Sequence, residues 1–113
     1  MNIRKFNVYI ADLNPQKGTE PGKVRPVVVV QTNLLNEIHP STVICPITTN
    51  VIKKSKLLRV HLKKGEAGLT QNSDILIDQV RAIDNNRFLK KLGEIHRNHK
   101  AQILTNLKQL ILE

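Results

Sequence analysis

The stretch Gly18-Thr19-Glu20-Pro21-Gly22-Lys23-Val24-Arg25-Pro26 runs straight into Val27-Val28-Val29-Val30. A glycine-punctuated loop carrying one acid and two cations thus joins a run of four valines that reads as a buried strand. Charged groups at the rim of a rigid sheet are where many active sites lie. Pro26 drives Arg25 into an extended backbone and sets the start of the strand, so the guanidinium stands on a stiffened loop–strand junction. The plainer alternative is a surface arginine after a solvated hairpin loop. Glu20, likewise, is either a reactive loop acid or half of a surface ion pair with Lys17 or Lys23, worth about 1 kcal/mol or less.

Other residues offer chemistry further along. Thr48 and Thr49 are strand neighbours whose side chains point to opposite faces, so only one of them reaches a given site; as bare residues they are ordinary strand formers. Asp78 lies within an apolar segment, where a carboxylate must be paired or line a groove. Lys53, Lys54 and Lys56 cluster in a polar loop and either track a phosphate backbone or form a solvated face. The four histidines, His39, His61, His96 and His99, are scattered. His96 and His99 stand three apart at the start of a helix with no acidic or thiol companion nearby in sequence, which argues for surface roles and against a metal site. Cys45 is the only cysteine, so neither an intrachain disulfide nor a multi-thiolate site is available, and an inert buried thiol is expected.

A chain of 113 residues with a net charge of +9 makes one domain with a positive field that favours phosphate-bearing or acidic partners. Phe6, Tyr9 and Phe88 are the only aromatics, too few for recognition by base stacking on an aromatic platform. The N-terminus is charged without an apolar run behind it, and no run approaches the length of a membrane span; a soluble cytoplasmic protein is expected.

The elements that must position these residues are short strands and one terminal helix. Strands are predicted over 8–13, 25–31, 42–49 and 57–62, with Asp74 to Asp84 the longest and Phe88 to Ile95 a further one broken by Gly93. Pro46 predicts that the third strand is an edge or bulges there. The valine run predicts a strand covered on both faces. Ile103, Leu104, Leu107, Leu110 and Ile111 recur at helical spacing and predict a helix over 97–112 with one docking face. This content, mainly β with one helix, points to a small barrel.

Three blocks in register then resemble the MazF/PemK/Kid family of toxin endoribonucleases. They are the Gly18–Pro26 loop with its valines, Cys45-Pro46-Ile47-Thr48-Thr49, and the segment from Asp74 to Asp84; the opening Val8 to Pro15 also fits. The resemblance implies an SH3-like small barrel of the MazF/CcdB toxin type with a C-terminal helix, acting as a homodimer. It also implies metal-independent, cofactor-free cleavage of single-stranded mRNA at short sequences. The substrate's own 2'-hydroxyl attacks, leaving 2',3'-cyclic phosphate and 5'-hydroxyl ends, and a cognate antitoxin with a disordered tail covers the RNA groove. The fold is shared with toxins of the CcdB type that grip gyrase without cutting RNA, so a non-catalytic protein binder is the alternative.

Residue by residue, Arg25 matches the family's catalytic arginine, whose planar fork can hold two phosphate oxygens, and Thr48 matches its catalytic threonine. Glu20 and Asp78 are the acids that would assist as base or read nucleobases. Asp78 matches the base of the Kid branch. However, Leu76 stands where that branch has its partner arginine, and Thr19 stands where it has a loop histidine. These departures favour a simpler Arg25/Thr48 arrangement. Thr19, Lys23, Lys53, Lys54, Lys56 and Gln79 are the expected RNA contacts, and no metal ligand is expected.

Overall fold

The computed structural model spans residues 1–113 and describes all of them except Glu20, Pro21, Glu37, Lys56 and Leu57. Its strands are β1 (Asn7–Asp12), β2 (Val24–Val29), β3 (Ser41–Thr48), β4 (Arg59–Leu62), β5 (Ser73–Leu76), β6 (Arg81–Asp84) and β7 (Phe88–Glu94), and a single helix, α1 (Arg97–Leu112), closes the chain. All pairings are antiparallel, in the spatial order β4-β5-β3-β2-β1-β7, with β6 on β3. The ladder is a curled, barrel-like sheet that does not close on itself among the described residues. The expected β-rich architecture with a C-terminal helix is what forms.

β2 explains why the valine run is continuous. Val27, Val28 and Val29 are all fully buried, but into different clusters. Val28 joins Val8, Cys45, Ile47 and Ile75, whereas Val27 and Val29 join Tyr9, Leu13, Ile44 and Phe88. A strand with both faces covered needs no polar alternation. In the second cluster the Tyr9 and Phe88 rings meet edge to face at 5.3 Å, and the Tyr9 hydroxyl reaches back to the Asn2 carbonyl at 2.8 Å.

Three expectations change. First, β3 is central, not an edge. It pairs with β2 along one side, while its other side is divided: residues 41–44 face β6, and 47–48 face β5. Pro46 sits in the gap between those two partners, where a missing N–H interrupts no ladder bond. Secondly, the segment Asp74 to Asp84 is not one strand. A 3₁₀ turn, Ile77–Gln79, separates β5 from β6 and hands the chain from one end of β3 to the other. Thirdly, Gly93 does not break β7. A Cβ there would stand 2.6 Å from the Ala67 backbone, so glycine is what lets the 3₁₀ turn Glu66–Gly68 lie against the strand. Of the predicted 57–62 strand, Leu57 lies outside the described residues.

Helix α1 has the predicted bounds and contains neither glycine nor proline. Ile103 is buried and Leu107 half-buried, but Leu104, Leu110, Ile111 and Leu112 remain exposed, so only one edge of the apolar stripe docks on the sheet. The helix start is fastened from beneath. The buried Glu66 carboxylate accepts from the His96 backbone N–H (3.0 Å) and from His99 Nδ1 (2.8 Å). The acid that His99 bonds therefore arrives from more than thirty residues away, not from the neighbouring Glu94, and His99 is a structural partner, not a surface residue. No helix among the described residues is long and apolar enough to cross a membrane.

Candidate active site

Arg25 and Thr48 come together because of strand register. From the Val27–Pro46 pair, two further residues outward on β2 and β3 reach Arg25 and Thr48. Residues opposite one another across antiparallel strands share a face. The two side chains accordingly line one open cleft of about 390 Å³, together with Lys23, Pro26, Thr49 and Asn50. Thr49 lies past the strand end, where alternation no longer applies, so both threonines reach the cleft wall.

The loop in front of Arg25 is held by its own small and polar residues. Arg25 Nε donates to the Gly22 carbonyl at 2.8 Å, leaving the rest of the half-buried guanidinium for the cleft. A Cβ on Gly22 would fall 2.5 Å from the Gln16 Cβ, so that carbonyl is presented by a turn only glycine permits. Lys23, at φ +69°, is pinned through its N–H to Asn14 Oδ1 (2.8 Å), and its carbonyl accepts from Leu13 N (2.9 Å).

On the other wall the Thr48 hydroxyl oxygen accepts from the Asn50 N–H at 3.1 Å. That bond occupies a lone pair and leaves the hydroxyl proton to donate outward. Thr48 also has a cross-strand partner on β5, Asp74, which is fully buried. Asp74 accepts three hydrogen bonds, one from each of three neighbours: Ile52 N–H (2.9 Å), Arg59 Nη1 (3.0 Å) and His61 Nδ1 (2.6 Å). Burial acts to raise its pKa, but these bonds and the charge of His61 outweigh it and hold the carboxyl below the usual aspartate range.

The sequence and the fold match known proteins. A profile of the PemK-like, MazF-like toxins of type II toxin–antitoxin systems matches residues 4–111. The chain belongs to that family. It is 37% identical over 90 residues to an Endoribonuclease MazF of Staphylococcus saprophyticus, covering 80% of this chain and 75% of the relative. It is 38% identical over 101 residues to an Endoribonuclease MazF of Staphylococcus epidermidis, covering 89% and 84%. Among solved structures, MazF from Deinococcus radiodurans superposes with a TM-score of 0.85 at 22% identity, over 100% of this chain and 99% of that one. A MazE–MazF complex from the same organism gives 0.78 at 23% identity, over 98% and 96%.

Within this toxin, the structure brings together only some of the residues expected from sequence. Lys23, Arg25 and Thr48 share the cleft. Thr19 is exposed in the preceding loop, and Lys53 and Lys54 are exposed in a turn after β3. Lys53 lines a separate recess with His61 and Lys63. Asp78 is exposed on the 3₁₀ turn and Gln79 half-buried beside it, and neither lines the cleft. The expectation that Asp78 is a carboxylate trapped in an apolar strand is therefore wrong, because the strand ends at Leu76. Asp78 instead adds its charge to burial in pushing the Cys45 thiol up to about 12, which keeps that thiol protonated and inert. Glu20 and Lys56 lie outside the described residues.

The buried acid that sequence reasoning sought in this segment is Asp74. No local pattern marks it: strand register sets Arg59 and His61, two apart on one face of β4, beside it, and His61 pairs directly with Asp74. Among the described residues, no group of His, Cys, Asp and Glu side chains is arranged to hold a metal ion.

Proposed function

We propose that this toxin cuts single-stranded mRNA at short sequences, using the 2'-hydroxyl next to the scissile phosphate as nucleophile and no metal. In such a step the 2'-oxygen bonds to phosphorus, the bond to the 5'-oxygen breaks, and the products carry a 2',3'-cyclic phosphate and a 5'-hydroxyl. The proton lost by the nucleophile goes to a base, and the 5'-oxygen receives one as it leaves. Arg25 offers a fixed guanidinium to the non-bridging oxygens as their charge grows, Thr48 donates its hydroxyl to the same group, and Lys23 adds positive charge at the rim. Glu20 is the loop acid assigned the base role. Asp78, Gln79, Thr19, Lys53 and Lys54, which do not line the cleft, are assigned to RNA contacts along the strand, as is Lys56 from its place in the sequence. The single observation carrying the reading is that Arg25 and Thr48 face one cleft across adjacent strands.

Two partners are part of this proposal, the antitoxin being supported by the antitoxin complex of the Deinococcus radiodurans structure. A cognate antitoxin with a disordered tail would cover the cleft, and a second copy of the chain would cover the exposed leucine and isoleucine residues of α1, giving a homodimer by analytical ultracentrifugation.

The test is incubation of the purified protein with mixed single-stranded RNA in EDTA, followed by analysis of fragment ends. Discrete cuts with cyclic-phosphate ends are expected, reduced by about 100- to 1000-fold in Arg25→Ala and retained in Lys100→Ala, whose side chain pairs with Glu94 and is not part of the cleft lining. RNA binding without cuts would overturn the reading, as would cuts that vanish in EDTA.

A further inference from the structure

A chain of hydrogen bonds leads from the buried Asp74 to the cleft through the backbone of one residue. Arg59 Nη1 donates both to Asp74 Oδ2 (3.0 Å) and to the Asn50 carbonyl (2.6 Å). The N–H of that same Asn50 donates to the Thr48 hydroxyl oxygen (3.1 Å). Two residues on, the Ile52 N–H returns to Asp74 Oδ2 at 2.9 Å. Asn50 is thus gripped at its carbonyl by Arg59 and itself grips Thr48, while the segment beyond it is tied to the same carboxylate.

We infer that Asp74 and Arg59 are positioning residues for the cleavage reaction, acting through the Asn50 peptide to aim the Thr48 hydroxyl. The inference rests on the nuclease reading above. Its physical basis is the state of the strand end. Thr48 is the last residue of β3, and among the described residues the chain beyond it has no ladder partner until β4, so no strand pairing orients the Asn50 N–H. A surface loop left to itself would sample several orientations of that peptide, and the hydroxyl it holds would follow. A buried charge compensated by fixed donors is a rigid anchor, because any displacement leaves a carboxylate without partners in an apolar setting. The anchor is stiff where the loop is soft. His61 completes it: its Nδ1 sits 2.6 Å from Asp74 Oδ1, and its Nε2 is buried with no partner among the described residues, so the ring is set by that one bond.

The arrangement separates this role from a merely structural one. A residue that only stabilises the fold affects every cleft variant alike, whereas one acting through Thr48 loses its effect when the hydroxyl is gone. The experiment therefore measures single-turnover cleavage and KM for Arg59→Gln and Asp74→Asn, each alone and combined with Thr48→Ala, at a temperature where circular dichroism shows all folded. Either single substitution is expected to lower the cleavage rate about 100-fold, the scale of a displaced reacting group, with KM within about twofold. In the Thr48→Ala background the further loss should shrink to about threefold or less. Amide hydrogen exchange at Asn50 and Ile52 should quicken at least about tenfold in Arg59→Gln, with that of Val28 unchanged; this readout needs no catalysis and covers a substitution whose activity is too low to measure. Losses that persist in full without the Thr48 hydroxyl, losses confined to KM, or unaltered exchange at Asn50 would each overturn the inference. Active wild-type protein with unimpaired Arg59→Gln would overturn it alone, whereas a wild-type protein that cuts no RNA would overturn the nuclease reading and this inference with it.

Discussion

Among the described residues, two buried carboxylates are built to one plan and put to different uses. Glu66, under the start of α1, accepts from a backbone N–H and an imidazole; Asp74, at the end of β5, accepts from a backbone N–H, an imidazole and a guanidinium. In both, donors from distant parts of the chain compensate a charge that burial alone would make costly. Glu66 ends its influence at the helix, where a negative group also suits the helix N-terminus. Asp74 continues, through the second acceptor of Arg59 Nη1, to the wall of the cleft. The comparison teaches that the cleft is not defined by which acids are buried but by what their partners touch next.

The largest effect should come from removing either acid outright. Glu66→Ala leaves two donors and the helix start without their acceptor, and a loss of about 3 kcal/mol of stability is expected by denaturant unfolding. Its cleavage rate, measured while folded, should be near that of the parent protein. Asp74→Ala should lose a similar amount of stability and also most of its activity. Equal activity losses in the two would break the distinction between them.

Gly93→Ala tests how tightly the Glu66 turn is seated. The added methyl would meet the Ala67 backbone at 2.6 Å, and a cost of about 1–3 kcal/mol is expected from thermal unfolding. A neutral result would mean that the turn yields and that Glu66 is less firmly placed than Asp74.

Acidity should act on the Asp74 side. Its folded-state pKa is depressed, so its contribution is complete above the unfolded value near pH 4 and is lost as pH falls below that through the lower folded value. Fast exchange at the Ile52 amide should therefore set in only below about pH 4. In Asp74→Asn it should be present already at neutral pH. The smallest effect is expected at the surface pair of Lys100 Nζ and Glu94 Oε1, 2.7 Å apart beside the Glu66 turn. Lys100→Ala should leave the unfolding midpoint unchanged within error, because solvent and salt screen such pairs.

Much of this was legible in the chain. The helix could be bounded because its apolar spacing and lack of breakers are local properties, and the valine run announced a strand covered on both faces. Arg25 and Thr48 could be singled out from the residue blocks that carry them. What misled was Asp78. Its isoleucine-rich surroundings resemble a continuous strand, yet β3 is too short to pair with the whole segment, and the chain turns at Ile77–Gln79. The acid that does lie buried, four residues earlier, looks no different in sequence.

The sequence by itself determined the local conformations, the positive charge and the residue types available for phosphate chemistry, since these depend on neighbours a few positions apart. Only the tertiary structure decided that Arg25 faces Thr48, that Asp74 and not Asp78 is enclosed, and that Glu66 meets His99. Each of those depends on strand register or on contacts between segments more than ten residues apart, where burial creates an electrostatic cost that no local pattern encodes.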